Sequence, residues 1–130
     1  MSLKTKQLGN LGEEIAVKYL KKQGYKILDR NFRYKGYGEI DIIAKKGEDL
    51  SFIEVKTRKT INNSPYIPED NITYFKQKQL IKLAKIYLAK NLAAAKDIPW
   101  QIDVIAVEIP QLKTRKTNLR HIEQAVEDLF

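Results

Sequence analysis

The sequence predicts an α/β protein in which helices flank a central mixed sheet. Three observations carry this prediction. Two stretches with apolar residues at helical spacing stand before and after a block of strands. Within that block, 38–44 and 50–57 alternate apolar with polar residues across a short polar patch containing Gly47. Trp100 to Ile109 is apolar on both faces, as an interior strand must be. The predicted order is helix, strand, strand, strand, helix, strand, then a C-terminal extension, all within one domain spanning residues 1–130.

The first helix runs from Leu8 to Gln23 and stops at Gly24, a residue that readily takes the left-handed conformation of a helix end. Leu8, Gly12, Ile15, Ala16, Tyr19 and Leu20 form its buried arc, and Gly12 permits close approach to the sheet. Glu14 faces away and is expected to pair with Lys18. Glu13 borders the arc, where a carboxylate needs a partner or a metal. Otherwise Glu13 serves only the helix dipole.

Tyr25 to Tyr34 follows as a strand, with a bend or bulge at Asn31. Arg33 and Lys35 stand among aromatics, a pattern that contacts phosphates and stacks on bases. For Phe32 the core is the simpler destination, and for Tyr34 and Tyr37 both readings stay open. A turn through Lys35-Gly36-Tyr37-Gly38 leads into the central hairpin.

In the hairpin, alternation puts Glu39, Asp41 and Ile43 on one face and Ile40, Ile42 and Ala44 on the other. Phe52, Glu54 and Lys56 share a face against Ile53 and Val55. With the turn at Gly47-Glu48, Asp41 falls opposite Glu54, and Glu39 falls opposite Lys56, which it is expected to hold. Like charges directly across a strand pair are destabilising, and a one-residue slip would turn the apolar set outward. A divalent cation resolves the conflict. Mg²⁺ or Mn²⁺ takes oxygen ligands and keeps positions for water and phosphate. Lys56, two residues from Glu54, is placed to hold a phosphate oxygen or orient a water.

These residues carry a family resemblance. Asp41, twelve intervening residues, then Glu54-Val55-Lys56 resembles the D…(D/E)xK signature of restriction-endonuclease-like nucleases. Gly9-Asn10-Leu11-Gly12-Glu13-Glu14-Ile15-Ala16, Gly38-Glu39-Ile40-Asp41 and Phe52 to Arg58 look like the bacterial YraN-like family, grouped with the Holliday-junction resolvases. Ile40 stands where the superfamily name has a proline, a position the metal chemistry does not need. The resemblance implies an αβββαβ restriction-endonuclease-like core and hydrolysis of phosphodiesters in DNA, branched or damaged DNA among the expected substrates. It implies Asp41 and Glu54 as ligands, with the Val55 carbonyl as a third. It also implies Glu13 as the acidic residue supplied by the first helix, bound directly or through water. Resolvase-like enzymes often pair to cut two strands, but nothing in this sequence marks a homodimer interface.

Beyond the hairpin, Thr57 to Ile72 lacks periodicity and begins with Arg58 and Lys59, expected phosphate contacts. It is expected to form a mobile loop that closes over nucleic acid. Thr73 to about Ala95 is the strongest helix, with Leu80, Leu83, Ala84, Tyr87 and Leu88 as its stripe. Lys76 and Lys78 are read as nucleic-acid contacts, although for Lys78 a solvated lysine-rich face is the more ordinary account. Asp103 interrupts the interior strand and must be paired, with an Arg, a Lys or backbone amides. Pro110 to Asn118 is a basic connector, and Leu119 to Phe130 reads as a short strand followed by an amphipathic tail.

Composition bounds the function. No apolar run approaches the ~20 residues of a membrane span, and the N-terminus lacks a signal-peptide segment. With no Cys and one His, the chain can build neither a disulfide framework nor a multi-His metal site. These features suit a cytoplasmic protein. The net charge of +8 favours a polyanionic partner, with DNA the first expectation. Three readings follow: a nuclease, a nucleic-acid-binding module that does not cut, or a structural ion-pair network around Asp41, Glu54 and Lys56.

Overall fold

The computed structural model describes residues 4–60, 72–91, 97–111 and 116–127. Helix α1 spans Thr5–Lys22. It is followed by β1 (Lys26–Arg33), β2 (Glu39–Lys46), β3 (Asp49–Thr60), α2 (Tyr74–Asn91), β4 (Trp100–Pro110) and β5 (Asn118–Val126). The strands form one sheet in the order β1-β2-β3-β4-β5. All pairs are antiparallel except β3–β4, whose parallel ladder runs from Leu50↔Trp100 to Thr60↔Pro110. A parallel pair needs a crossover, and α2 lies on it. This is the expected αβββαβ order with a fifth strand added.

Each helix covers one face. Ala16, Val17 and Leu20 of α1 pack on Ile42, Ala44, Ile53, Ile105 and Val107. Leu80, Leu83, Ala84 and Tyr87 of α2 pack on Ile40, Ile43, Leu50, Phe52 and Ile102. Phe32 joins the α2 core, its ring 5.3 Å from Tyr87 edge-to-face. Chain termini of elements follow their sequence punctuation. The Gly24 N–H bonds the Lys21 carbonyl, and Gly24 takes φ +93, ending α1.

Two expectations about faces need correcting. Ile40 does not share a face with Ile42 and Ala44; it sits with Ile43 against α2, because alternation slips at Asp41. Glu14 pairs with Arg30 of β1 at 2.7 Å rather than with Lys18, since the strand brings a guanidinium closer than the helix brings an ammonium. The loop reading of 61–71 lies outside the described residues, as do 112–115 of the basic connector and 128–130 of the tail. No described helix is long and apolar enough to cross a membrane.

Buried Asp103 is fully satisfied. It accepts from His121 Nε2 at 2.8 Å, Gln101 Nε2 at 2.9 Å and the Gln124 N–H at 3.0 Å. Tyr19 of α1 meets the other His121 nitrogen at 2.9 Å. The partner is therefore a histidine on β5, where an Arg, Lys or backbone amide was expected, and only the amide is found. The lone His joins α1, β4 and β5.

Candidate metal centre

The site forms where the β2–β3 ladder stops. That ladder runs from Lys46↔Asp49 to Ile42↔Ile53. Continued by one residue, the register sets Asp41 opposite Glu54, as the turn at Gly47 requires. There the Val55 N–H donates instead to the Asp41 carboxylate at 2.7 Å. Val55 thus reaches the site through its amide.

Gly12 positions the helical contribution. A Cβ at Gly12 would stand 1.8 Å from Thr57 Oγ1, so only glycine lets α1 lie this close to the outgoing end of β3. The next residue, Glu13, then reaches the carboxylates of β2. One oxygen from each of Glu13, Glu39 and Asp41 lies within 4.8 Å of the others. Opposite ligands of an octahedral Mg²⁺ stand ~4.2 Å apart.

Glu39 is thus inside the cluster, not apart from it holding Lys56. Its neighbours explain why. Asn31 sits at φ 55, a left-handed position that Asn tolerates. From there its Nδ2 bridges Glu39 at 2.6 Å and Glu13 at 3.0 Å. Arg33 Nε donates to Glu39 at 2.8 Å. Burial opposes ionisation of Glu39, but the hydrogen bonds from Asn31 and Arg33 prevail and lower its pKa. Arg33 therefore serves the acidic cluster. In sequence, Glu39 shared the parity of Asp41, the one signal that could have placed it here.

Asp41 and Glu54 are less well compensated. Burial, then the Glu54 charge, pushes Asp41 up to about 8, against the pull of the Val55 amide. Glu54 is 6% exposed. Burial also raises its pKa, although Lys76 and Lys56 each reach its Oε1 at 3.8 Å. Its Oε2 is buried with no hydrogen-bond partner among the described residues. A buried carboxylate oxygen without a donor is costly. Glu54 stands outside the group formed by Glu13, Glu39 and Asp41, which is the oxygen donor set that suits a hard divalent cation.

The expected phosphate contacts separate. Lys76 and Lys56 stand at Glu54. Arg58 and Lys59 continue along β3 beside Glu108 and Ile109 of β4. Lys35 lies over the Tyr34 ring at 5.4 Å, and Lys78 over Tyr74 at 5.5 Å.

The model of the uncharacterised protein family UPF0102 matches residues 12–107. The chain belongs to that family. A UPF0102 protein of Geobacter metallireducens is 43% identical over 131 residues, covering 98% of each chain. Another, from Caldicellulosiruptor saccharolyticus, is 45% identical over 102 residues, covering 78% of this chain and 82% of its own. UPF0102 membership bears out the YraN-like resemblance of the glycine, GEID and ExK blocks. The match opens at Gly12 and takes in Glu13, Glu39, Asp41, Glu54 and Lys56. Among solved structures, SfsA of Pyrococcus furiosus in complex with Ca²⁺ aligns with a TM-score of 0.40 at 19% identity, covering 95% of this chain and 65% of that one.

Proposed function

We propose that this protein is a Mg²⁺- or Mn²⁺-dependent nuclease that hydrolyses phosphodiester bonds in DNA. The observation that carries the reading is the buried Oε2 of Glu54, which has no hydrogen-bond partner among the described residues, beside an Asp41 whose carboxyl burial and repulsion push up to about 8. Asp41 and Glu54, with Glu39 and Glu13, would hold the cation. When bound, the cation supplies a Lewis acid and lowers the pKa of a coordinated water. Lys56 is placed to stabilise charge on the scissile phosphate or to orient water, and Lys76 stands at the same distance from Glu54. Asn31 and Arg33 fix the orientation of Glu39, while Val55 fixes that of Asp41, so the donors are held before substrate arrives.

The test incubates the protein with single-stranded, duplex, flapped and four-way-junction DNA in Mg²⁺, Mn²⁺ or EDTA, beside Asp41→Ala and Lys56→Ala. Cutting that needs metal and is lost in both variants is the expected result. No cutting of these substrates under either metal would refute the proposal. Salt-sensitive binding retained by all three proteins would then mark a non-catalytic binding module.

A further inference from the structure

Helix α2 carries an open groove of about 750 Å³ along its outer side. Its floor is apolar: Phe75, Ile81, Ile86 and Ala89, with Tyr37 at one wall. Phe75 is 70% exposed and the adjacent Tyr74 is 63% exposed. Lys78 stands 5.5 Å from the Tyr74 ring, while Phe75 lies outside both core clusters. The rim is cationic. Lys82 stands 3.6 Å from the Tyr37 ring, and Lys90 stands 4.4 Å from Tyr34. Lys78 and Lys85 line the same groove, and no carboxylate among the described residues does. Tyr34 and Tyr37 are stacked with rings 6.3 Å apart and 26° from parallel.

The groove ends at the acidic cluster. Gln79, which lines it, lies 3.4 Å from where a Cβ on Gly38 would stand, and Gly38 immediately precedes Glu39. In the first turn of the same helix Lys76 reaches Glu54. From Phe75 to Ala89 the helix rises about 20 Å, enough for several bases at the 3.4 Å stacked spacing.

From this juxtaposition we infer that the groove holds an unpaired nucleic-acid strand and leads it to the carboxylates. The inference rests on the nuclease reading for its destination and names the substrate class: nucleic acid with a single-stranded arm. Aromatic faces stack on bases only when the bases are out of a duplex, and lysines along a groove follow the phosphates. A duplex would meet the rim with its backbone and leave the apolar floor unused. A solvated lysine face would have no reason to expose Phe75.

The test is fluorescence anisotropy in EDTA, where no metal-dependent cutting occurs. The probes are a fluorescein-labelled single strand of about 15 nucleotides and its blunt duplex, each as DNA and as RNA. Single strand is expected to bind at least about tenfold more tightly than duplex, and the tighter of the two sugars identifies the strand. Phe75→Ala is expected to weaken single-strand binding about tenfold, the loss of one stacked base, and to leave duplex binding unchanged. Lys85→Glu, on the exposed helix face, is expected to weaken it and to reduce its salt dependence by about one phosphate contact. Equal affinity for strand and duplex, or wild-type strand binding by both variants, would overturn the inference. Duplex cutting without strand preference would sink the groove and leave the nuclease. Strand preference without cutting on any substrate would keep the groove and sink the nuclease.

Discussion

Asp41→Asn is expected to stabilise the metal-free protein at pH 8. Burial and the Glu54 charge move the Asp41 carboxyl from 3.8 to about 8 on folding. The folded chain therefore keeps a proton that an unfolded aspartate loses. Stability from this source is fully present below about pH 4, falls as pH rises through the window, and is gone above about pH 8. At about 1.4 kcal/mol per pH unit, the ceiling is about 6 kcal/mol. Asp41 is only half-buried, and Glu54 shares the repulsion, so about 2 kcal/mol is the magnitude to expect. Asparagine is close in shape and still accepts the Val55 N–H. The assay is urea unfolding in EDTA from pH 5 to pH 9, followed by the fluorescence of Trp100, whose ring packs 5.8 Å from Phe52. The wild type is expected to lose about 2 kcal/mol relative to the variant across the range. Mn²⁺ at ten times its dissociation constant should return about 1.4 kcal/mol to the wild type at pH 8, and less to the variant. A variant no more stable than wild type at pH 8, or parallel pH profiles, would refute the reasoning.

Two further predictions concern the frame around the site. Gly12→Ala puts a methyl 1.8 Å from Thr57 Oγ1 and 2.7 Å from its Cβ, so α1 must lift from β3. Thermal unfolding should show a loss of about 1–3 kcal/mol, and isothermal titration should show weaker Mn²⁺ binding as Glu13 withdraws. His121→Ala removes one of the three donors to fully buried Asp103 and should cost about 3 kcal/mol in urea unfolding. The same variant should bind Mn²⁺ as wild type does, because β5 supplies no ligand.

What the sequence disclosed was what depends on near neighbours. The turn at Gly47 and the alternation on either side set Asp41 opposite Glu54 before any coordinates were needed. Gly24 ended α1, and Gly12 announced a close approach. Alternation along β2 does not show that Ile40 lies with Ile43 against α2, while Ile42 and Ala44 face α1. Glu39 was assigned to Lys56, because register alone could not reveal Asn31 and Arg33 arriving from β1. The Asp103–His121 bond spans 18 residues and the Tyr19–His121 contact spans 102, so neither leaves a local pattern. The groove on α2 was half legible. Its lysines and the tyrosines of its wall were visible, but the approach of Gln79 to Gly38 was not.

The parallel ladder between β3 and β4 has a consequence for when the site comes into being during folding. The hairpin bearing Asp41 and Glu54 is local and can form early. Its charged end gains a rigid neighbour only after the chain has traversed α2 and returned as β4, a non-local pairing that forms slowly. Glu13 arrives by a separate docking event across the opposite face. Partly folded chains therefore hold Glu13 apart from the hairpin carboxylates, which still stand in water, where repulsion costs little. The affinity for a cation and the completed tertiary structure appear together, so a chain still being synthesised carries the residues of the centre without its chemistry.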